Sequence, residues 1–309
     1  MAMIPNILLD ALIFSNLLTL MAVGLTLTYI TLKVPNFSHG DFVTFGVYMS
    51  YSLYIFMKIN PYFSLPIAFL TSGFVAVLMY FLVFLPLSKR GTSIVGLMIA
   101  SIAVEIILRC SIHIYSSICE KISKKSFHVF STTRADFFVD LGAIRIPGIF
   151  FTSLTLVIGL LILLHLFLTK TKTGISMRAS VENPHLARVF GVNVERMYAL
   201  AWFLAGGLAG IAGALLPYRI PCDPEIGWLF CLKIFAATIL GGFTSIYGAF
   251  LGSYLVGITE TLLSYYLAAP PFNISPAFRP AIPFIILILT LLFIPKGLTS
   301  IKIPRREGR

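Results

Sequence analysis

Charges set within apolar sequence are the first candidates for a chemical role in this chain. Lys233 and Glu260 each interrupt an apolar run, Glu105 and Arg109 stand four apart, and Asp10 falls in the first apolar stretch. A charge at the centre of a bilayer costs roughly 2.5–3.5 kcal/mol on insertion scales, so such residues persist as pairs, beside water-filled cavities or in charge relays. The spacing of Glu105 and Arg109 fits an ion pair on one helix face. Lys233 and Glu260 read two ways: as groups that couple movement to an ion gradient, or as a snorkelling lysine and a glutamate bonded to a neighbouring broken helix.

A second set is polar and clustered. VPNFSHGD, residues 34–41, places Asn36, Ser38, His39 and Asp41 between two apolar runs, where Pro35 and Gly40 oppose continuous helix. As a broken helix at depth the segment would line a solute path; as a plain turn it would need no function. Gly241 and Gly242 end a short apolar run and predict a second break, with Gly248 just beyond it. The four cysteines form no Cys-x-x-Cys pair and have no histidine at zinc spacing, which argues against a metal site. A disulfide among Cys110, Cys119 and Cys222 stays open. No G-x-x-x-x-G-K-[ST], H-E-x-x-H or G-x-S-x-G motif occurs, so the chain carries no P-loop and nothing points to an intramembrane enzyme.

The elements that must hold these groups are membrane helices. At 309 residues, 58% hydrophobic and 11% charged, with mean hydropathy +0.94, the chain is a polytopic membrane protein rather than a soluble domain. Spans of roughly 17–25 apolar residues are expected near 6–32, 41–57, 63–87, 91–112, 149–168, 198–217, 228–243, 245–267 and 278–295. The expected fold is therefore all-α, a single transmembrane domain over 1–309 of about 8 to 10 helices with broken or re-entrant segments. The first stretch lacks a basic leader and is expected to remain as a span. Residues 33–40, 88–90, 169–197 and 296–309 hold 13 of the 23 Lys and Arg residues, which places them and the C-terminus in the cytoplasm. Residues 113–148 then form an external loop. The net charge of +11 is scattered over loops, which fits lipid headgroups and a soluble partner better than nucleic acid.

One polar island, residues 173–197, stands between two apolar runs. Asn183 before Pro184 is an N-cap followed by a first-turn proline, and Gly191 stands where a left-handed cap is wanted. Gly174 is expected to turn the chain out of the preceding span into a first short helix, 175–181, giving two short helices along the membrane. Arg178, Arg188 and Arg196 would hold them to anionic headgroups or to a partner.

Several motifs in order resemble the permease subunits of branched-chain amino acid ABC importers, the Liv type: PNFSHGDFVTFGVY, TGISMRASVENPHLARVFGVNVERM, FLAGGLAGIAGAL, KIFAATILGGFTSIYGAFLGSYLVGITE and PKGL. The resemblance implies a cell-membrane complex of two permeases, homo- or heterodimeric, two ABC ATPases that bind ATP and Mg, and an extracytoplasmic solute-binding protein. This chain would itself bind no cofactor. It implies an ATPase-coupling surface shaped by Gly174, Arg178, Ala179, Asn183, Ala187, Gly191 and Arg196. Lys233 and Glu260 match family positions, which weakens the ion-coupled carrier as an alternative. A translocation path would involve Asn36, Ser38, His39, Asp41, Gly241, Gly242 and Gly248. Leucine, isoleucine and valine are the expected solutes, with urea, amides or other small solutes as the alternative within the family.

Overall fold

A computed structural model describes residues 3–141, 144–270, 272–275, 278–294 and 297–300. The nine expected spans all appear as helices. They are α1 (Met3–Leu32), α2 (His39–Phe56), α3 (Leu65–Met79) continued by α4 (Leu85–Lys89), α5 (Ile94–Ser123), α6 (Gly148–Lys170), α9 (Val194–Leu215), α10 (Ile226–Gly241), α11 (Ile246–Ala268) and α12 (Ala281–Phe293). Between α6 and α9 lie two short helices, α7 (Lys172–Glu182) and α8 (Pro184–Val189). Six of the described helices are long and apolar enough to cross a bilayer, while α10 and α12 are shorter apolar helices. The last residues, 301–309, whose side of the membrane the charge pattern assigned, lie outside the described residues.

Between α3 and α4 the helix widens into a π turn at Tyr80–Phe84. Pro86 explains it: with no N–H and a ring that crowds the carbonyl four residues back, proline displaces the regular ladder, and the wider turn absorbs the mismatch without breaking the span.

The centre of the bundle is α1 and α9, whose apolar windows are 72% and 83% buried, against 22% for α6. Inside lipid the hydrophobic effect does not draw helices together, so small residues that allow close approach decide the packing. A Cβ on Gly46 would lie 2.1 Å from the Gly210 carbonyl oxygen, and one on Gly213 would lie 2.0 Å from that of Val43. These contacts press α2 against α9. Lipid-facing surfaces lie on α3, α5, α6 and α12, where Phe74, Ile107, Leu163 and Leu292 are exposed.

Residues 113–148 are not one loop. α5 runs on to Ser123, so the boundary expected at 112 moves by three helical turns. Its serines do not interrupt the helix, because each hydroxyl is bonded to a backbone carbonyl, Ser111 and Ser117 to their own preceding turn and Ser116 to Phe127. Lys124 closes the helix with φ +55 and its N–H on the Glu120 carbonyl. The chain then turns back: Phe127 N–H donates to Glu120 Oε2, Phe130 bridges to Cys222, and an antiparallel hairpin, β1 (Phe138–Leu141) with β2 (Ile144–Pro147), leads into α6. This hairpin is the only sheet among the described residues. All four cysteines are free thiols, so the disulfide left open is not formed.

Candidate functional site

Three sites follow from the sequence: the knuckle of α7 and α8, the polar break before α2, and the intramembrane charges.

The knuckle is capped as its residues dictate. Asn183 Oδ1 accepts the Leu186 N–H at 3.0 Å, Pro184 takes the first helical position, and Gly191 lies at φ +79 with its N–H on the Arg188 carbonyl. Asn193 Oδ1 then accepts the Arg196 N–H and opens α9. The turn out of α6 is made by Thr171 rather than Gly174: Thr171 is extended, with φ −96 and ψ 147, and its hydroxyl accepts the Gly174 N–H. Gly174 instead permits contact, since a Cβ there would lie 2.0 Å from the Phe167 carbonyl oxygen. Arg178, Ala179, Asn183, Gly191 and Arg196 are exposed, while Gly174 and Ala187 are buried beneath them.

The sequence reading missed the tip of the knuckle. Val189 is 81% and Phe190 78% exposed, with Leu186 beside them. Unlike the lipid-facing residues of the spans, these cap a polar segment that also exposes Arg188, Asn193 and Arg196, and exposed apolar side chains in such a segment mark an interaction surface. Behind α7 a cavity of about 770 Å³ opens between the ends of α1 and α6 and residues 244–247, with Met177, Arg178 and Val181 in its wall.

The break before α2 is a re-entrant segment. α1 ends at Lys33 with φ +55, and by His39 the chain has returned to the level of Met21 and Gly24. Those residues lie about 8–11 positions before the end of α1, or about 12–16 Å along a helix of 1.5 Å rise. His39 Nε2 donates to the Met21 carbonyl at 2.9 Å, Asn36 Oδ1 accepts from Ser38 N and Oγ, and Phe37 N–H donates to Ser101 Oγ. All four named polar side chains are buried, which rules out a water-exposed turn. Asn36 Nδ2, His39 Nδ1 and both carboxylate oxygens of Asp41 have no hydrogen-bond partner. Asp41 lies in the first turn of α2, where the helix dipole favours negative charge.

Here α2 also meets α10. A Cβ on Gly40 would lie 2.2 Å from the Gly227 carbonyl oxygen, and Cys231 Sγ reaches the Phe37 carbonyl at 3.3 Å. The break at Gly241–Gly242 lies further along α10 and does not join this cluster. Gly242 takes φ +102, and a Cβ on Gly241 would lie 2.0 Å from the Gly248 carbonyl oxygen, so the pair sets the tight α10–α11 crossing.

The intramembrane charges are paired. Glu105 meets Arg109 at 3.3 Å, as the spacing required, but Arg109 also holds Glu225 at 3.0 Å, which His113 shares at 2.8 Å. Glu260, fully buried, takes Lys233 Nζ at 2.6 Å and Arg279 Nε at 2.9 Å on a single oxygen. Lys233 therefore does not snorkel. Asp10 is held by Arg219 at 2.7 and 2.9 Å, a two-point contact. Arg219 and Arg279 escaped the sequence reading because their partners are 209 and 19 residues away, beyond any helical spacing.

A family model described as the branched-chain amino acid transport system / permease component matches residues 7–291. The chain is 43% identical over 297 residues to the Methanocaldococcus jannaschii protein named "Probable branched-chain amino acid transport permease protein LivH", covering 96% of this chain and 92% of that one. It is 26% identical to the Pseudomonas aeruginosa "High-affinity branched-chain amino acid transport system permease protein BraD", covering 94% of each. Over 116 residues, 35% of this chain and 33% of the relative, it is 33% identical to "Autoinducer 2 import system permease protein LsrC" of Salmonella paratyphi B. No solved structure matches. A nearly full-length family match, together with the helical bundle and its ordered motifs, shows that this multi-pass membrane protein belongs to the branched-chain amino acid transport permease family.

Proposed function

We propose that the chain is the membrane-spanning permease subunit of an ATP-driven importer of branched-chain amino acids, and that it transmits motion from partner ATPases through the α7–α8 knuckle. One observation carries the reading: a rigidly capped pair of short helices presents Val189 and Phe190 away from the bundle. A groove on an ABC ATPase is the partner such a tip fits, with Arg178, Arg188 and Arg196 at its rim. The cavity behind α7 separates part of it from the ends of α1 and α6, while Gly174 holds its start against α6.

ATP and Mg belong to the partners, since the chain has no P-loop. A second permease, alike or different, completes the translocation unit, and a solute-binding protein delivers cargo on the opposite face. That arrangement puts the knuckle and the C-terminus in the cytoplasm and the α5 overhang and hairpin outside. The unpartnered groups of Asn36, His39 and Asp41 suit a solute path through the re-entrant segment, with Ser38 fixing Asn36; Gly241, Gly242 and Gly248 shape its inner end. The ion pair of Lys233 with Glu260, which Arg279 shares, supports the importer over an ion-coupled carrier. The partial likeness to an autoinducer 2 permease keeps another small solute as the alternative cargo.

Reconstitution in proteoliposomes tests the reading. Leucine uptake is expected only with cognate ATPases, binding protein and ATP. Arg178→Glu and Gly191→Pro should insert normally and lose uptake at least tenfold. Gly191→Pro cannot reach φ +79 and removes the N–H bonded to Arg188. Uptake driven by an ion gradient in the chain alone would overturn the proposal.

A further inference from the structure

The cavity of about 770 Å³ behind α7 changes character along its length. On α6 its wall runs from Thr169 back to Leu161, about 12 Å along a helix of 1.5 Å rise. Leu161, Leu164 and Leu168 line that inward stretch, and Ile30 and Ile246 join them. The mouth, between the ends of α1 and α6 and the flank of α7, holds Lys33, Arg178 and Glu182. Two cations there stand against one carboxylate, and all three side chains are exposed. Among the described residues none of the three forms an ion pair. Arg178 and Glu182, four apart on α7, stand in the cation-first order that pairs less well along a helix.

A charged mouth over an apolar interior matches a phospholipid, which carries a charged headgroup on hydrocarbon chains. Free phosphate would leave the leucines unused, and a lipid without net charge would leave the excess cation unanswered. Residues 301–309 carry four basic side chains against one acidic, the wrong sign for this mouth. The volume lies within the range of small-ligand sites. Hydrocarbon that exceeds it can continue into the bilayer beside α6, where Ile162 and Leu163 are exposed. His165 on α6 bonds the Tyr247 hydroxyl at the start of α11, which joins two of the cavity walls.

We propose that this cavity binds one anionic phospholipid, with its phosphate between Lys33 and Arg178 and its hydrocarbon chains along Leu161, Leu164 and Leu168. Basic pockets between spans at a membrane face take such headgroups. The lipid lies between the knuckle and the bundle, so part of α7 rests on lipid rather than on protein. Glu182 opposes the phosphate and weakens the site. Arg178 faces both the lipid and the partner surface, whereas Lys33, on α1, serves the lipid alone. Only the assignment to the cytoplasmic leaflet rests on the importer reading.

Native mass spectrometry of the full chain released from detergent micelles tests the site, with dioleoyl phosphatidylglycerol, dioleoyl phosphatidylcholine and glycerol 3-phosphate as probes. The wild type is expected to retain one phosphatidylglycerol in preference to phosphatidylcholine and to retain no glycerol 3-phosphate. Lys33→Gln should weaken phosphatidylglycerol binding about fivefold, the weight of one basic residue at an anionic surface. Glu182→Gln should strengthen it, and Lys121→Gln, on α5 at the other end of the bundle, should leave it unchanged. Equal retention of the two lipids, or glycerol 3-phosphate held as strongly as phosphatidylglycerol, would overturn the site. So would a Lys33→Gln loss no larger than that of Lys121→Gln, or weaker binding in Glu182→Gln. The wild-type comparison of probes decides even if a variant fails to fold. ATP-driven leucine uptake by the assembled complex is measured alongside. Uptake without lipid selectivity overturns the site alone, and selective lipid binding without uptake overturns the importer reading alone.

Discussion

Single side chains divide sharply by how far away their partners lie. Asn183, Pro184 and Gly191 act on backbone groups within a few residues, so their types and order were enough to give the caps and the positive φ. The Glu105–Arg109 pair was legible for the same reason. Arg219 and Arg279 were not, because only the fold brings Asp10 and Glu260 to them. Gly174 belongs to the island as expected but does not make its turn, because glycine permits both a turn and a close approach and sequence does not distinguish them. Glu260 serves two cations on one oxygen, and its removal should therefore hurt more than removal of either cation. Glu260→Gln is expected to cost roughly 3–5 kcal/mol, the range for breaking a buried ion pair. Lys233→Met should cost less, because Arg279 still answers the carboxylate. Thermal unfolding of both variants in nanodiscs measures the order, and equal losses would show that the two cations are not shared.

Helices were legible in number and approximate place because apolar length is a local property. What escaped was how they end and how closely they approach. The end of α5 expected at 112 is passed by 11 residues, since Ser116 and Ser117 bond to backbone carbonyls and the helix continues to Ser123. The re-entrant path of 33–38 was foreseen as a break, but its return to the level of Met21 depends on α1, α5 and α10 together. Contact between α2 and α9 is set by glycine. Gly46→Ala is expected to destabilise by about 1–3 kcal/mol, the cost of overpacking. Gly159→Ala on α6, with open space around it, should be neutral or slightly stabilising through helix propensity. The difference in unfolding temperature between the two checks the packing. For the knuckle, Val189→Ser with Phe190→Ser should abolish co-purification of the partner ATPase while leaving expression and insertion unchanged, because neither side chain is needed inside the bundle.

At the scale of the molecule, the fold class was readable from composition and the ordered motifs, whereas the arrangement of charge at the two ends was not. The end with the knuckle carries exposed apolar side chains over a wide cavity, and the other carries a cation-rich cluster beside a polar one. Sidedness is directly measurable. Phe190→Cys should react with an impermeant maleimide only from the cytoplasmic face and Val129→Cys only from outside, in a background lacking the native cysteines; the reverse pattern would invert the orientation. The central position of α1 also has a consequence for how the protein is made. Asn16 on α1 bonds Ser153 on α6 and Tyr254 on α11, which follow it by 137 and 238 residues. At about 5–20 residues per second of synthesis, this amide waits on the order of tens of seconds in or beside lipid before its last partner is translated. The nascent helix must be sheltered during that interval, by the insertion machinery or by a temporary neighbour, and a slowed ribosome between α6 and α11 would prolong its exposure.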